Sequence, residues 1–182
     1  MEKTVRLAVA AVFLALILIS CGSGGAGGSA DYYVSFTAGG TDYVLSRGYT
    51  DDNIFDSGAN GAKHSSATEY YITAAGESVA AMNEGPYFAL RFEDNTPGTY
   101  INTGTEVMVG FSIDGTTDYY DVDDQVFTLN LNSFGSVGEV ITGTFSGVIE
   151  ELDTGTPLTV TNGYFHVERL ADGAIAAPSF FN

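Results

Sequence analysis

Two oxygen-rich stretches hold the densest potential chemistry of the sequence. "IDGTTDYYDVDDQ", 113–125, gathers Asp114, Asp118, Asp121, Asp123 and Asp124, and "YTDDNIFDSGAN", 49–60, adds Asp51, Asp52, Asn53, Asp56 and Asn60. Hard oxygens at irregular spacing suit calcium, which takes six to eight of them and tolerates loop geometry. Neither stretch follows the EF-hand order of alternating oxygens, central glycine and distal glutamate. Ordinary solvated loops on an acidic protein account for both as simply. Asp114, Asp118, Asp121, Asp123 and Asp124 are therefore the candidate metal ligands, and calcium is the one cofactor they would imply.

Nucleophilic catalysis needs a base beside the nucleophile, and the histidines are His64 and His166. His166 alternates with Phe165 and Val167, which makes it the outward residue of a strand, whereas His64 falls in a polar stretch. Ser146 in "TFSGV" lacks the strand-to-helix turn of a G-x-S-x-G nucleophile elbow. Zinc sites want three or four Cys or His ligands at characteristic spacing, which two distant histidines do not supply. Acids are so numerous that any pair chosen for glycoside cleavage would be arbitrary. A non-catalytic protein is the expectation. Tyr70-Tyr71 and Tyr119-Tyr120 each place adjacent rings on opposite strand faces, so one ring of each pair should face outward as a platform for a glycan.

Cys21 is the only thiol. Lys3 and Arg6 precede an unbroken apolar run from Leu7 to Ile19, the order of a secretory signal peptide. The run is about 13 residues, short of the roughly 20 that span a bilayer as a helix. Leu18-Ile19-Ser20-Cys21 then sets a branched residue three before the sulfur and a small one immediately before it. This resembles the lipobox of bacterial lipoproteins. The resemblance implies that residues 1–20 are removed and that Cys21 becomes the first residue, bearing a diacylglycerol thioether and an amide-linked acyl chain. Two or three chains anchor stably where one does not. Gly22 stands where an aspartate would commonly retain such a protein at the inner membrane, which implies an outer-membrane address in a two-membrane cell. "GSGGAGGSA", 22–30, has no side chain able to pack and reads as a tether of roughly 17 Å root-mean-square reach.

The remainder, 31–182, reads as one all-β domain, long enough to bury about 70% of its unfolded surface. The whole chain carries 23 acidic and 6 basic side chains, a formal charge of −17, and 45% apolar residues. Beyond the N-terminal segment the cations are Arg47, Lys63, Arg91 and Arg169, scattered along the chain. Such a field repels phosphate backbones and excludes nucleic acid as a partner. Eleven Tyr and twelve Phe argue for a packed core rather than disorder.

Period-two alternation recurs and helical period does not. Val34 and Phe36, Tyr43 and Leu45, Tyr70 and Ile72, then Phe88, Leu90 and Phe92 mark inward faces. Val107, Val109, Phe111 and Ile113 follow, then Phe127, Leu129 and Leu131 interleaved with Thr128, Asn130 and Asn132. "AGGTD" at 38–42, "NTPGT" at 95–99 and "DGTTD" at 114–118 read as hairpins or tight turns. Residues 50–66 are too polar and glycine-rich for a strand and form the longest loop. Ile141, Gly143, Phe145, Gly147 and Ile149 share a face, and Leu158, Val160, Phe165 and Val167 answer them in a terminal hairpin. Asn162-Gly163 interrupts the alternation as a β-bulge would. Eight or nine strands at this spacing predict a single antiparallel β-sandwich, with a squat β-barrel as the alternative.

"ITGTFSG" at 141–147, "LTVTNGYFHV" at 158–167, "YYVSFTAGGTDYVLS" and "PGTY" are similar to strings in small β-rich bacterial lipoproteins classed as a domain of unknown function. That resemblance implies a fold and an address but no catalytic residues. The combined expectation is a lipid-anchored envelope module with the membrane as one partner and a protein or glycan as the other. A calcium-dependent or carbohydrate-binding module is the alternative, and a hydrolase the third reading.

Overall fold

The computed structural model describes residues 32–50, 53–55, 58–63, 69–76, 85–102, 107–115, 117–120 and 126–175. Thirteen strands occur among them and no helix. They are β1 (Tyr33–Ala38), β2 (Thr41–Leu45), β3 (Gly48–Thr50), β4 (Asn53–Phe55), β5 (Asn60–Lys63), β6 (Tyr70–Ala75), β7 (Tyr87–Phe92), β8 (Gly98–Ile101), β9 (Val107–Ser112), β10 (Asp118–Tyr120), β11 (Phe127–Phe134), β12 (Val140–Glu151) and β13 (Pro157–Arg169). The all-β expectation holds.

The long β12–β13 hairpin is the spine. On one side β13 carries β1 and then β2; on the other β12 carries β11 and then β8. These six strands form a first layer. The second layer, β5-β6-β7-β9-β10, lies across it, and rings from the two layers meet in the core. Phe36 sits 4.9 Å from Phe111, Phe88 5.0 Å from Phe145, and Tyr70 4.9 Å from Phe134. The layers are also joined by backbone at two ends of the spine. Glu168 and Arg169 of β13 pair in parallel with Asn60 and Gly61, and Glu150 and Glu151 of β12 pair with Tyr120 and Tyr119. The hydrogen-bonded circuit β13-β5-β6-β7-β9-β10-β12 therefore returns to β13. The sheet is mixed, because β13–β5 is parallel while its other ladders are antiparallel.

Local chemistry explains the spine. Gly39 and Gly40, both at positive φ (57° and 84°), make the two-residue turn between β1 and β2, the backbone that a tight hairpin requires. Asn162 takes φ 55°, and the β13 register slips by one residue against both β12 and β1 at that point. That bulge puts Val160 and Phe165 on the same inward face although they are five residues apart. Phe145 is 2% exposed, ringed by Phe36, Phe88, Phe127 and Phe165. A Cβ at Gly163 would strike the Phe145 ring and carbonyl, and one at Gly143 would strike the Phe165 ring. Small residues here are what let the rings lie on the backbone of the neighbouring strand.

One expectation needs correction. Residues 50–66 include strands β4 and β5 rather than one loop. Strand β5 is legible only in three dimensions, since Gly61 fits beneath Ile141 and Ala62 beside Tyr71, contacts that small residues allow. The second layer is also covered on both faces. Tyr71, Thr73 and Ala75, which alternate with the core residues of β6, are all at most 2% exposed, as is Ala89 of β7. Ile175 packs over Tyr71 and Ala62, and the backbone of Arg47 bonds both ways to Ala75.

Candidate functional site

Of the candidate ligands, Asp114 and Asp118 fall among the described residues. Cys21, Asp121, Asp123, Asp124, Asp51, Asp52, Asp56 and His64 lie outside them. Asp114 organises the β9–β10 turn, accepting the Thr117 backbone N–H at 2.7 Å and its hydroxyl at 3.3 Å. Asp118 opens β10 and accepts the Tyr87 hydroxyl at 3.4 Å. Among the described residues no three His, Cys, Asp or Glu side chains converge as metal ligands. Asn53 falls in β4. Asn60, read from sequence as a loop oxygen, is 2% exposed in β5, and its Oδ1 accepts the Thr73 hydroxyl at 2.9 Å.

His166 and Ser146 do share the outer face of the first layer. His166 registers with Thr142, and Ser146 lies four residues further along β12, roughly 13 Å away at strand rise. They do not form a nucleophile–base pair. The Tyr70-Tyr71 pair offers no outward platform, Tyr119 is the inward ring of its pair, and the side chain of Tyr120 lies outside those described. Tyr70 packs on Phe92 and Phe134, Tyr71 is buried beneath Ile175, and Tyr119 packs on Phe111. Their strands border a layer with cover on both sides, so the outward ring of the Tyr70-Tyr71 pair finds protein instead of water.

In β7 of the second layer, Arg91 is held against protein rather than water. Arg91 Nη2 donates to Glu69 at 2.5 Å and Glu93 at 3.2 Å, while Nη1 points at Met108 Sδ at 2.8 Å. Burial pushes the neighbouring Tyr71 hydroxyl well above its ordinary value; its hydrogen bond to Glu69 and that carboxylate's charge push the same way, and Arg91 opposes them. Tyr87 is raised by burial, then lowered by Ser112 and raised by Asp118. Arg169 lies over the Phe134 ring at 5.0 Å and donates to the Leu170 carbonyl and, at 2.5 Å, to Asp172. Two of the chain's few cations are thus withdrawn from the surface, their side chains 12% and 9% exposed.

The outer face of the first layer is different. Register places Tyr33, His166, Thr142 and Ser133 in one row across β1, β13, β12 and β11. The next row holds Val44, Ser35, Tyr164, Thr144, Asn130 and Thr99. A third carries Thr37, Ser146, Thr128 and Ile101 beside the bulge. The polar groups are ordered against one another, with Ser133 and Thr142 hydroxyls 2.7 Å apart and Thr99 donating to Asn130 at 2.7 Å. The Tyr33 and Tyr164 rings lie 5.8 Å apart, tilted 49°, and Tyr32 lies 6.1 Å from His166. Acids appear only at the margins of these rows, with Asp42 at the β2 edge, Glu168 beyond one end and Glu150 beyond the other. The signal in sequence was the residues between the apolar ones: Tyr33 and Ser35 around Val34, and Thr142, Thr144 and Ser146 around Gly143 and Phe145. Tyr164 is placed there only because the bulge resets the alternation.

Compared with known protein families, curated proteins and solved structures, the chain matches none.

Proposed function

We propose that this chain is a lipid-anchored, non-catalytic interaction module of a bacterial cell envelope, of the small β-rich lipoprotein type, held to a membrane through Cys21. The observation that carries the reading is Leu18-Ile19-Ser20-Cys21 set between the Leu7–Ile19 apolar run and the glycine tether. The order of the chain supports it, because the tether leads into β1, a strand bonded on both sides in the first layer. The dispersal of His166 and Ser146 and the inward engagement of Arg91 and Arg169 support a role in contact rather than in turnover. The membrane is one partner, and the outer face of the first layer is where the other would meet the domain. Radiolabelled palmitate fed to cells expressing the chain should enter the wild type and be lost in Cys21→Ser, with the wild type recovered in the outer-membrane fraction of a two-membrane host. Equal labelling of both proteins would sink the reading.

A further inference from the structure

We infer that the outer face of the first layer binds a neutral polysaccharide. On a chain of net charge −17, the three central rows carry hydroxyls, the Asn130 amide and the rings of Tyr33, Tyr164 and His166, with the exposed Val44 and Ile101 on the outer strands and acids confined to the margins. Four strands from β1 to β11 and the residues from Thr142 to Ser146 span roughly 14 Å by 13 Å at strand spacing and rise, room for several sugar rings. Sugars present two chemistries at once, hydroxyls that both donate and accept and C–H faces that lie on aromatic rings. This face offers both, through Thr144 and Asn130 in one row with Tyr164.

Charge selects this occupant over the others. An anionic polymer would meet the rim of Asp42, Glu150 and Glu168 and be repelled, and a cationic one would be drawn to the acids rather than to the neutral centre. A second copy docked face to face would bring its own acidic rim against the first, which like charge disfavours. An apolar partner would strip water from hydroxyls and amides without replacing their bonds. A neutral polyol replaces them. The inference names the partner of the module proposed above and rests on that reading for presentation at a membrane, whereas the binding itself is tested separately from the anchor.

The full chain, purified in an ethoxylated detergent without a sugar headgroup, is run through native gels containing dextran, a β-glucan, a mannan or the anionic alginate. Retardation by at least one neutral polymer and none by alginate is the expected result. Tyr33→Ala with Tyr164→Ala should weaken it about tenfold. Ser146→Glu, an exposed position that leaves the core untouched, should weaken it as well by placing a hydrated charge in the neutral field. Asp153→Asn, in the β12–β13 turn, should bind as wild type. Circular dichroism identifies a variant that has failed to fold, and Ser146→Glu then decides. No retardation by any of the neutral polymers, or wild-type binding by Ser146→Glu, overturns the inference. So does a dimer in sedimentation that the face variants dissociate, since a second copy would then own the face. Palmitate labelling is unaffected by any of these outcomes.

Discussion

The two layers share one core and differ in what lies on their far sides. Strands β12 and β13 bury alternate residues and leave Thr142, Thr144, Ser146, Tyr164 and His166 facing outward. Strands β6 and β7 bury nearly every residue, with Tyr71, Thr73, Ala75, Tyr87 and Ala89 lodged against further protein. The first layer is thus a wall with an outside, the second a partition with cover on both sides. A half-solvated sheet writes its parity into the sequence, because polar residues are tolerated only on the wet face. A doubly covered sheet does not, and its Ala, Gly and Thr positions are chosen for space instead.

The comparison can be broken most forcefully at Phe145. Phe145→Ala should cost about 3–5 kcal/mol in denaturant unfolding, as large aromatic deletions from packed cores do, while Ser146→Ala next to it should stay within about 0.5 kcal/mol. A reversed order would invert the two faces of β12. Next in size is a pair of enlargements on the outward sides. Ala89→Leu in the covered layer should cost about 1–3 kcal/mol by overpacking, and Thr144→Leu in the open layer about 0.5 kcal/mol or less. Equal costs would show that both layers are covered alike.

Alkaline titration sharpens the same contrast. Tyr71 and Tyr87 are raised above their ordinary value of 10 by burial, so the folded state keeps protons that the unfolded state releases. Stability is then complete below about pH 10 and falls as pH rises through the raised range, by up to about 1.4 kcal/mol per pH unit for each such group. Tyr71→Phe should flatten that fall in thermal melts between pH 9 and 11.5; an unchanged slope would count against burial as its source. The smallest effect belongs to the β9–β10 turn. Asp114→Ala should cost about 0.5–1.5 kcal/mol through the lost bond to Thr117, and Asp114→Asn should cost less. A rise in wild-type melting temperature with calcium that magnesium does not reproduce, absent in Asp114→Asn, would instead return Asp114 to the role of ligand.

How far the sequence carried the fold follows the same division. The terminal hairpin, its bulge at Asn162-Gly163, the burial of Phe145 and the Gly39-Gly40 turn were all legible, because each is encoded by neighbours in the chain. Strand β5 was not, since "NGAK" has no apolar alternation and its pairing to β13 joins residues about a hundred positions apart. The cover over Tyr71 was equally silent: Ile175 reaches it from the far end of the domain. The hydroxyl face was half-legible. Its residues could be read as outward, but their assembly into rows with acids only at the margins depends on the register of five ladders, and the sequence points attention to the acids instead.

Strand β1 also sets how the domain bears tension. Under the anchoring proposed above, a pull through residues 22–30 would enter at the head of β1, whose residues are bonded on one side to β13 and on the other to β2. The strand cannot peel from one neighbour while resting on the other, so the load is shared by two ladders in parallel. A partner seated on Tyr164 would close that load path one strand away from Tyr33, leaving the covered layer outside the line of force.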